Sequence, residues 1–335
     1  MTQTAPETFG GRSEAITGRI DAIDLLRGGA LVAMAIYHFT WDLEFFGYVL
    51  PGLTQVGGWK LFARTIASTF LVLVGVSLFL AHGDEIRWRG FRKRLFQIAA
   101  AAAAITLVTW YAMPERFIFF GILHQIALAS VLGLLFLSVP WPLLIVAGIS
   151  VIAAPHFLRS EFFDHPALWW VGLSSSDPPS NDYVPVFPWM GAVLLGIALA
   201  QIGVSSGAFR QLGEWRAGRW ARPVRLFGHH GIAFYLVHQP VLIACLWLFA
   251  LAVPAEPETP ASAFLRTCQQ GCVPNRGEEY CSLYCVCVLD GITSAGKLEA
   301  VFSHRADSGV DEEILEIVQQ CRVLAEPQTG TDAEP

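Results

Sequence analysis

Long apolar stretches recur along this chain, and they restrict it to folds that a lipid bilayer can accommodate. A helix needs about 20 apolar residues to cross the hydrocarbon core of a membrane. Charged residues make up only 15% of the chain, whereas they make up about 25% of typical soluble domains. The sequence therefore predicts an all-α, multi-span transmembrane helical bundle of about seven spans. The predicted spans lie near residues 25–47, 62–81, 95–112, 117–138, 141–155, 186–203 and 230–253.

The basic loops and the number of spans together predict the orientation. Cytoplasmic loops of membrane proteins are enriched in Lys and Arg. Residues 82–94 and 204–227 each hold five basic residues, and Arg12 and Arg19 precede the first span. This pattern predicts a cytoplasmic N-terminal tail over residues 1–22, a transmembrane domain over residues 23–253 and, with seven spans, a periplasmic C-terminus. The fifth span is the shortest, and its two prolines favour a tilted or re-entrant segment as the alternative.

The first predicted span carries four ionisable side chains: Asp24, Arg27, His38 and Asp42. Such residues are costly inside a bilayer and usually face a polar cavity or a partner. Asp24 and His38 are 14 residues apart in the sequence, which is close to four helical turns, so they share a helix face. His38 and Asp42 are neighbours because they are four residues apart. The pattern favours an intramembrane active site; the alternative is a structural interior histidine with Asp42 as a cap.

Three histidines on different predicted spans lie at a similar depth. His38 is about 20 Å above the cytoplasmic end of its span, His124 about 10 Å below the outer face, and His238 about 12 Å above the cytoplasmic end of its span. In a core about 30 Å thick these depths are similar. The sequence therefore predicts one cavity lined by all three, with Pro240 freeing a backbone carbonyl for polar contact. The alternative is three unrelated interior histidines, each hydrogen-bonded to its neighbours.

After the last predicted span the chain becomes polar and rich in cysteine. The composition predicts a linker over residues 254–262 and a small helical extramembrane module over residues 263–325. It also predicts a disordered tail over residues 326–335. Two C-x3-C pairs flank a Pro-Asn-Arg-Gly turn, and cysteines four apart share a helix face, so a helical hairpin is predicted. The favoured pairing, one of 15 connectivities for six cysteines, is Cys268–Cys285, Cys272–Cys281 and Cys287–Cys321.

Disulfides are favoured over a zinc site because the module is predicted to lie outside the cytosol, where disulfides persist. An even number of spans would place it in the cytoplasm and favour zinc. A module of about 60 residues needs such cross-links to be stable alone. Nothing in it looks catalytic, and we expect it to dock a partner or to cover the outer mouth. The seventh cysteine, Cys245, lies in the last span and is expected to be a buried thiol.

Four segments of the chain resemble the bacterial relatives of heparan-α-glucosaminide N-acetyltransferase, a family of multi-span transmembrane acyltransferases. They are RIDAIDLLRGGALVAMAIYHFTWDLEFFGY, FFGILHQIALASVL, DYVPVFPWMGAVLLGI and GHHGIAFYLVHQPVL, in that order. The resemblance covers residues 19–253 and does not extend to residues 254–335. It implies a multi-pass protein of the bacterial inner membrane. It also implies transfer of an acetyl group from cytosolic acetyl-CoA to an amine or hydroxyl of a periplasmic sugar.

The resemblance also implies roles for particular residues. The essential histidine of the family carries over to His38, and the Asp-x-x-Arg-Gly start carries over to Asp24, Arg27 and Gly28. We expect His38 and Asp42 to be catalytic, acetyl-CoA to be the co-substrate, and no metal to be required. The candidate residues for binding the donor or the acceptor are Asp24, Arg27, His124, Gln125, Asp182, Tyr183, His230, His238 and Gln239.

The residues present suit this chemistry. A sugar amine or hydroxyl must lose a proton as it attacks a thioester, and a histidine that titrates near neutrality is the usual base, here His38. Asp42 would either hold the other ring nitrogen of His38 or bind the acceptor at the outer mouth. His124, Gln125 or His238 would donate to the thioester oxyanion. The basic loops suit the phosphates of coenzyme A, or they only set the topology. A covalent acetyl-histidine intermediate stays open.

Three other functional classes are kept as alternatives. Paired histidines at one depth also suit a b-type haem protein, and the ionisable residues of the first span suit a transporter that relays protons. The third alternative is an inactive relative that serves as a membrane scaffold for the cysteine-rich module. The expected partners are the bilayer, acetyl-CoA and a periplasmic glycan or amino sugar, with a second copy or a periplasmic protein at the module. No nucleic acid is expected.

Overall fold

The structure is a computed structural model. It describes residues 20–49, 53–55, 57–255, 259–276, 278–302 and 312–325. The sequence predictions for Arg12 and Arg19, for nearly all of the tail 1–22, for part of the linker 254–262 and for the tail 326–335 fall outside the described residues. Within the described ranges the secondary structure is helical, and no strand is present there. The predicted all-α class is therefore confirmed.

The described residues form fourteen α-helices, joined by turns and short 3-10 segments. In chain order the helices are α1 (Asp21–Phe45), α2 (Gly57–His82), α3 (Trp88–Ala112), α4 (Ile122–Leu134), α5 (Trp141–Ala153), α6 (Pro155–Leu158), α7 (Val186–Ser205), α8 (Ala208–Glu214), α9 (Arg222–His229), α10 (Gly231–Ala252), α11 (Pro260–Arg276), α12 (Glu278–Ser294), α13 (Leu298–Phe302) and α14 (Glu312–Ala325).

Five of these helices are long and apolar enough to cross a membrane, counting only the described part of the chain. They are α1, α2, α3, α7 and α10, and each has at least 20 residues. The spans predicted near 117–138 and 141–155 correspond to α4 and α5, which have only 13 residues each. Helix α5 is short because Pro142 lies in its first turn and Pro155 follows its end. A proline fits the first turn of a helix but does not continue one.

The chain divides into two compact units. The first comprises Met1–Ile36 and Leu61–Pro240, and the second comprises Tyr37–Lys60 and Val241–Pro335. In the first unit, α2 and α7 approach so closely that their backbones touch: a methyl group on Gly75 would lie 2.1 Å from the Val193 carbonyl oxygen. Leu71, Val193 and Ile197 are fully buried around this crossing. The first unit is therefore built on a tight pair of apolar helices.

The second unit contains the cysteine-rich module. Three disulfides are present, Cys268–Cys285, Cys272–Cys281 and Cys287–Cys321, and they confirm the favoured pairing. The first two join α11 to α12 as a hairpin, and the third joins α12 to α14. Val288 and Ile292 pack beside the third bridge as a small apolar core. The module thus combines a small core with covalent cross-links, as small domains need.

The prediction for Cys245 was wrong, because this free thiol is exposed on α10. Only 11% of the residues in the most apolar stretch of α10 are buried. Most side chains of this stretch, including that of Cys245, are therefore accessible on the surface of the protein. In a membrane such a surface faces lipid, where a thiol behaves as a small apolar group.

A thiol count checks the cysteine assignments. The chain has seven cysteines, six of which are in disulfides in the structure. We expect protein denatured without reductant to show a single reactive thiol, that of Cys245, and seven after reduction. Cys245→Ser should bring the unreduced count to zero, and it serves as the matched control. Six or more free thiols in the unreduced protein would contradict the disulfide assignment.

Candidate functional site

The first unit contains a cavity of about 540 Å³. Apolar side chains from α2 and from the first turns of α4 form much of its wall. The polar residues that line it are Arg27, Arg94, Gln97, His229, His230 and Tyr235. The arginines and histidines lie within about two turns of the starts of α1, α3 and α10. Two guanidinium groups and two imidazoles in one cavity suit a ligand that carries phosphate groups.

Arg27 is held in place by two contacts from its own unit. One guanidinium nitrogen lies 3.1 Å from Asp24 Oδ1, and the other donates to Ser77 Oγ at 3.0 Å. Asp24 and Arg27 are three residues apart on α1 and are therefore neighbours on the helix surface. Asp24 is only 7% exposed, so this pair is shielded from water and fixes the direction of the arginine towards the cavity.

A close approach of α1 and α9 brings His229 and His230 to the cavity. A methyl group on Gly28 would lie 1.9 Å from the Val224 carbonyl oxygen, and one on Gly228 would lie 2.1 Å from the Asp24 carbonyl oxygen. The two backbones therefore touch without intervening side chains. Because His229 ends α9 and His230 directly precedes α10, their position depends on this contact.

A charged contact at the start of α1 strengthens the same packing. Arg225, on α9, donates to Asp21 Oδ2 at 2.6 Å, and the backbone N–H of Ala217 donates to the same oxygen at 3.2 Å. Charge-assisted hydrogen bonds of this kind are stronger than neutral ones. The segment before α10 is thus tied to the first turn of α1.

His124 and His238 are in the first unit, but neither is among the residues that line the cavity. His124 Nδ1 accepts the Gly121 N–H at 3.2 Å, and its Nε2 lies 3.1 Å from Thr106 Oγ1. His238 Nδ1 lies 2.8 Å from the carbonyl oxygen of Tyr235, one turn back on the same helix, and it must donate there. Both rings are therefore turned towards neighbouring backbone and hydroxyl groups.

Gln125 is the buried amide of α4. Its side chain is fully buried, and neither its Oε1 nor its Nε2 has a hydrogen-bond partner within the described parts of the chain. Buried polar groups are nearly always hydrogen-bonded. Gln125 is therefore a candidate for contact with a bound molecule, as the sequence suggests.

Asp182 and Tyr183 lie in the loop before α7, outside the apolar helices. Asp182 Oδ2 accepts the Ile122 N–H at 2.9 Å and so caps the start of α4. Burial raises the pKa of Asp182 to about 6, although the hydrogen bond from Ile122 opposes the rise. The Tyr183 hydroxyl donates to the Trp169 carbonyl oxygen at 2.6 Å, and burial raises the pKa of Tyr183 to about 12. In this arrangement Asp182 binds the start of α4, and Tyr183 binds the loop at Trp169.

The pKa of Asp182 predicts a pH-dependent stability. Its folded pKa of about 6 lies above the unfolded value of about 3.9, so the folded state holds more protons between these values. Stability should therefore fall by about 2 kcal/mol as pH rises from about 4 to about 6, fall by a few tenths of a kcal/mol more towards pH 7, and be constant above that. Asp182→Asn should flatten this part of the curve. Thermal unfolding in detergent across this pH range measures the change in stability. Asp177→Asn, at an exposed position, serves as the control. If the stability of Asp182→Asn depends on pH as steeply as that of the wild type, the assignment is contradicted.

His38 and Asp42 lie in the second unit, on the last turns of α1. Asp42 is fully buried, and the His38 ring packs edge-on against Tyr37 with 5.8 Å between ring centroids. The following turn fixes this end of α1, because the Glu44 carboxylate accepts from both the N–H and the hydroxyl of Thr54 at 3.1 and 2.8 Å. The two predicted catalytic residues thus lie at the same end of α1, which the contact between Glu44 and Thr54 stabilises.

Of the candidates from the sequence, Arg27 and His230 line the cavity, and Asp24 contacts Arg27. Sequence reasoning missed Arg94, Gln97, His229 and Tyr235 as part of this site. In the sequence, Arg94 was interpreted only as one of the basic residues that predict a cytoplasmic loop. The available signal was its position inside α3 as the last charge before the apolar run that begins at Leu95. A charge so placed faces polar surroundings more often than lipid.

The comparison with protein families agrees with this arrangement. Residues 19–240 match the family described as heparan-alpha-glucosaminide N-acetyltransferase, catalytic. Comparisons with curated proteins and with solved structures give no match. The matched range contains the cavity of the first unit together with His38 and Asp42, and it ends before the cysteine-rich module. The chain therefore belongs to the family of the heparan-alpha-glucosaminide N-acetyltransferase catalytic domain, and it is a multi-pass membrane protein of an acetyltransferase family.

Proposed function

We propose that this chain transfers an acetyl group from cytosolic acetyl-CoA to an amine or hydroxyl of a periplasmic sugar. The family membership supports acetyl transfer. The observation that carries the proposal is the cavity of the first unit, where Arg27 and Arg94 meet His229 and His230. Such a cluster of cationic and hydrogen-bonding groups is expected for a phosphate-bearing donor.

The lining of the cavity fits the two chemical parts of acetyl-CoA. Arg27 and Arg94 would bind phosphate oxygens, because guanidinium groups form paired hydrogen bonds with them. Apolar residues such as Leu31, Phe70 and Ile126 line the same cavity and would bury the pantetheine arm. The basic loops support a cytoplasmic opening, since positively charged loops face the cytoplasm.

Helix α1 carries both an expected donor-binding residue and the expected base. Arg27 and His38 are 11 residues apart on it, which is close to three turns, or about 16 Å, so both lie on one helix face.

We propose that His38 removes the proton of the acceptor. As the acceptor nitrogen or oxygen bonds to the acetyl carbon, its proton passes to a ring nitrogen of His38, and the C–S bond of the thioester breaks. The thiolate of coenzyme A leaves and is protonated in turn. Asp42, one turn further along α1, would stabilise the protonated imidazole.

Transfer of a labelled acetyl group tests the function. Purified protein in detergent is given acetyl-CoA labelled on the acetyl group and a mixture of periplasmic glycans. We expect label in a glycan, or slow release of acetate where the acceptor is missing, and the labelled glycan identifies the acceptor. If the protein neither binds nor turns over acetyl-CoA, that result contradicts the proposal and favours the transporter or scaffold alternative. An absorption spectrum in the same sample would reveal a haem.

Arg94 provides a specific test of the donor site. Removing one guanidinium–phosphate contact costs about 1.5–3 kcal/mol, so Arg94→Gln should weaken acetyl-CoA binding by about 10- to 100-fold. Titration calorimetry with acetyl-CoA in detergent measures the change. Arg92→Gln is the matched control, because Arg92 is exposed on the same helix and is not among the cavity residues. Equal affinities of the two variants would remove Arg94 from the donor site.

We also propose the following organisation of the chain. The tail 1–22 is cytoplasmic, residues 23–253 form the acyltransferase domain in a bacterial inner membrane, and residues 254–262 link it to a periplasmic module at 263–325. The three disulfides support the periplasmic side, because disulfides persist in oxidising compartments.

A further inference from the structure

The segment between α7 and α10, residues Gly207–His229, is called the basic segment here. It holds α8 and α9, which have seven and eight residues and are too short to cross a bilayer. Both flanking helices, α7 and α10, are long and apolar enough to span one. The basic segment must therefore lie at the membrane surface, on the side where α7 ends and α10 begins.

The basic segment presents a concentrated positive charge. Four of its arginines are exposed: Arg210, Arg216, Arg219 and Arg222. Its fifth arginine, Arg225, pairs with Asp21, and the one acidic residue within the segment is Glu214. None of the four exposed arginines is among the residues that line the cavity. The proposed donor site therefore does not account for these four charges.

Large apolar side chains are exposed among these arginines. Trp220 is 78% exposed, Leu226 57% and Trp215 46%. Tryptophan is enriched at the level of the lipid headgroups, where one part of the ring meets hydrocarbon and its N–H meets water. An alternation of arginine with exposed tryptophan and leucine is the composition of segments that lie in the membrane interface.

The basic segment is fixed to the first unit. The Asp21–Arg225 ion pair and the hydrogen bond from Ala217 to Asp21 hold it to the start of α1, and the touching backbones at Gly28 and Gly228 hold α9. The backbone that carries the arginines and tryptophans is therefore held in a fixed position. A positioned cluster can hold a headgroup longer than scattered charges on a free loop, because less side-chain and backbone freedom is lost on binding.

We propose that the basic segment binds the headgroups of anionic phospholipids in the leaflet that it faces. The arginines would contact the lipid phosphates, and Trp215 and Trp220 would enter the headgroup layer. Charge complementarity selects the anionic lipids over zwitterionic ones, since juxtamembrane arginines are attracted to a negative leaflet. The inference is independent of the acetyl-transfer reaction.

Spin-labelled lipids test the proposal with the full chain. The protein is reconstituted in phosphatidylcholine vesicles with a trace of spin-labelled phosphatidylglycerol or spin-labelled phosphatidylcholine, and the motionally restricted fraction is measured by electron paramagnetic resonance. We expect the labelled phosphatidylglycerol to be favoured by about three- to tenfold, and the preference to fall as salt is raised to about 0.5 M. A ratio near one for the wild type would overturn the proposal.

Variants locate the binding surface. The combined variant Arg210→Gln, Arg216→Gln, Arg219→Gln and Arg222→Gln should lose most of the preference. A matched control removes three exposed charges from the start of α3: Arg89→Gln, Arg92→Gln and Lys93→Gln. An equal loss in the control would mean that overall charge, not this segment, attracts the lipid, and it would overturn the assignment.

Two further measurements keep the test decisive. If the combined variant does not fold, Trp220→Phe replaces it: quenching by brominated phosphatidylglycerol should drop in this variant relative to the wild type, and undiminished quenching would count against the proposal. Inorganic phosphate at constant ionic strength should not displace the labelled lipid. Displacement by phosphate would identify a site for soluble anions instead.

Discussion

Alanine in place of His38 should lower acetyl transfer by about 10²- to 10⁴-fold, the usual contribution of a general base. Acetyl-CoA binding should stay within about twofold of the wild type, because His38 is not among the residues that line the cavity. Initial rates with labelled acetyl-CoA at saturating donor, together with calorimetric affinities, separate these two effects. A variant that binds the donor normally but does not transfer the label would place His38 in the chemical step.

The matched control for this substitution is His156→Ala. His156 is exposed on the short helix α6, so its loss should leave both rate and affinity unchanged. Substantial residual transfer by His38→Ala, within about tenfold of the wild-type rate, would defeat the assignment of His38 as the base. A parallel loss of donor binding would instead mean that His38 contributes to the donor site.

Gly28→Ala should destabilise the protein and weaken donor binding at the same time. The new methyl group would lie 1.9 Å from the Val224 carbonyl oxygen, and it cannot be accommodated unless α1 and α9 separate. Forced overpacking of this kind costs about 1–3 kcal/mol. Since α9 positions His229 and His230, acetyl-CoA affinity should fall as well. Thermal unfolding in detergent and calorimetry measure the two effects.

The neighbouring glycine supplies the control for that experiment. A methyl group on Gly29 meets no atom within 4 Å, and alanine favours a helix over glycine by about 1 kcal/mol. Gly29→Ala should therefore be neutral or slightly stabilising, with normal donor affinity. If Gly28→Ala and Gly29→Ala unfold at the same temperature, the close approach of α1 and α9 is not a feature of the folded protein.

The sequence predicts the long helices and the cysteine pairs because each depends on a local pattern. Apolar runs of sufficient length identify α1, α2, α3, α7 and α10. The spacing of two C-x3-C pairs favours Cys268–Cys285 and Cys272–Cys281 within a hairpin, and Cys287–Cys321 is the pair that remains; all three are observed. Helices α4 and α5 are shorter than the predicted spans. A hydropathy pattern gives the length of an apolar stretch but not the residues at which a helix begins and ends, and these ends depend on Gly121, Pro142 and Pro155.

The candidate site was predicted less completely, since depth along a helix does not give direction around it. His124 and His238 lie on the expected helices, but local hydrogen bonds turn His124 towards Thr106 and His238 towards its own backbone. Arg94 belongs to the cavity through the packing of α3, which no spacing within the sequence reveals. Arg27 was predicted because the Asp-x-x-Arg-Gly start of the resembling family carries over to it.

The shortness of α4 and α5 has a consequence for the bilayer around the bundle. Thirteen residues give a helix about 20 Å long, whereas the hydrocarbon core is about 30 Å thick. Neither helix can cross that core alone, so the polar groups at its ends need protein or water around them. For the proposed acetyl transfer, a polar path for an acceptor would therefore be shorter beside α4 or α5 than beside the five long helices.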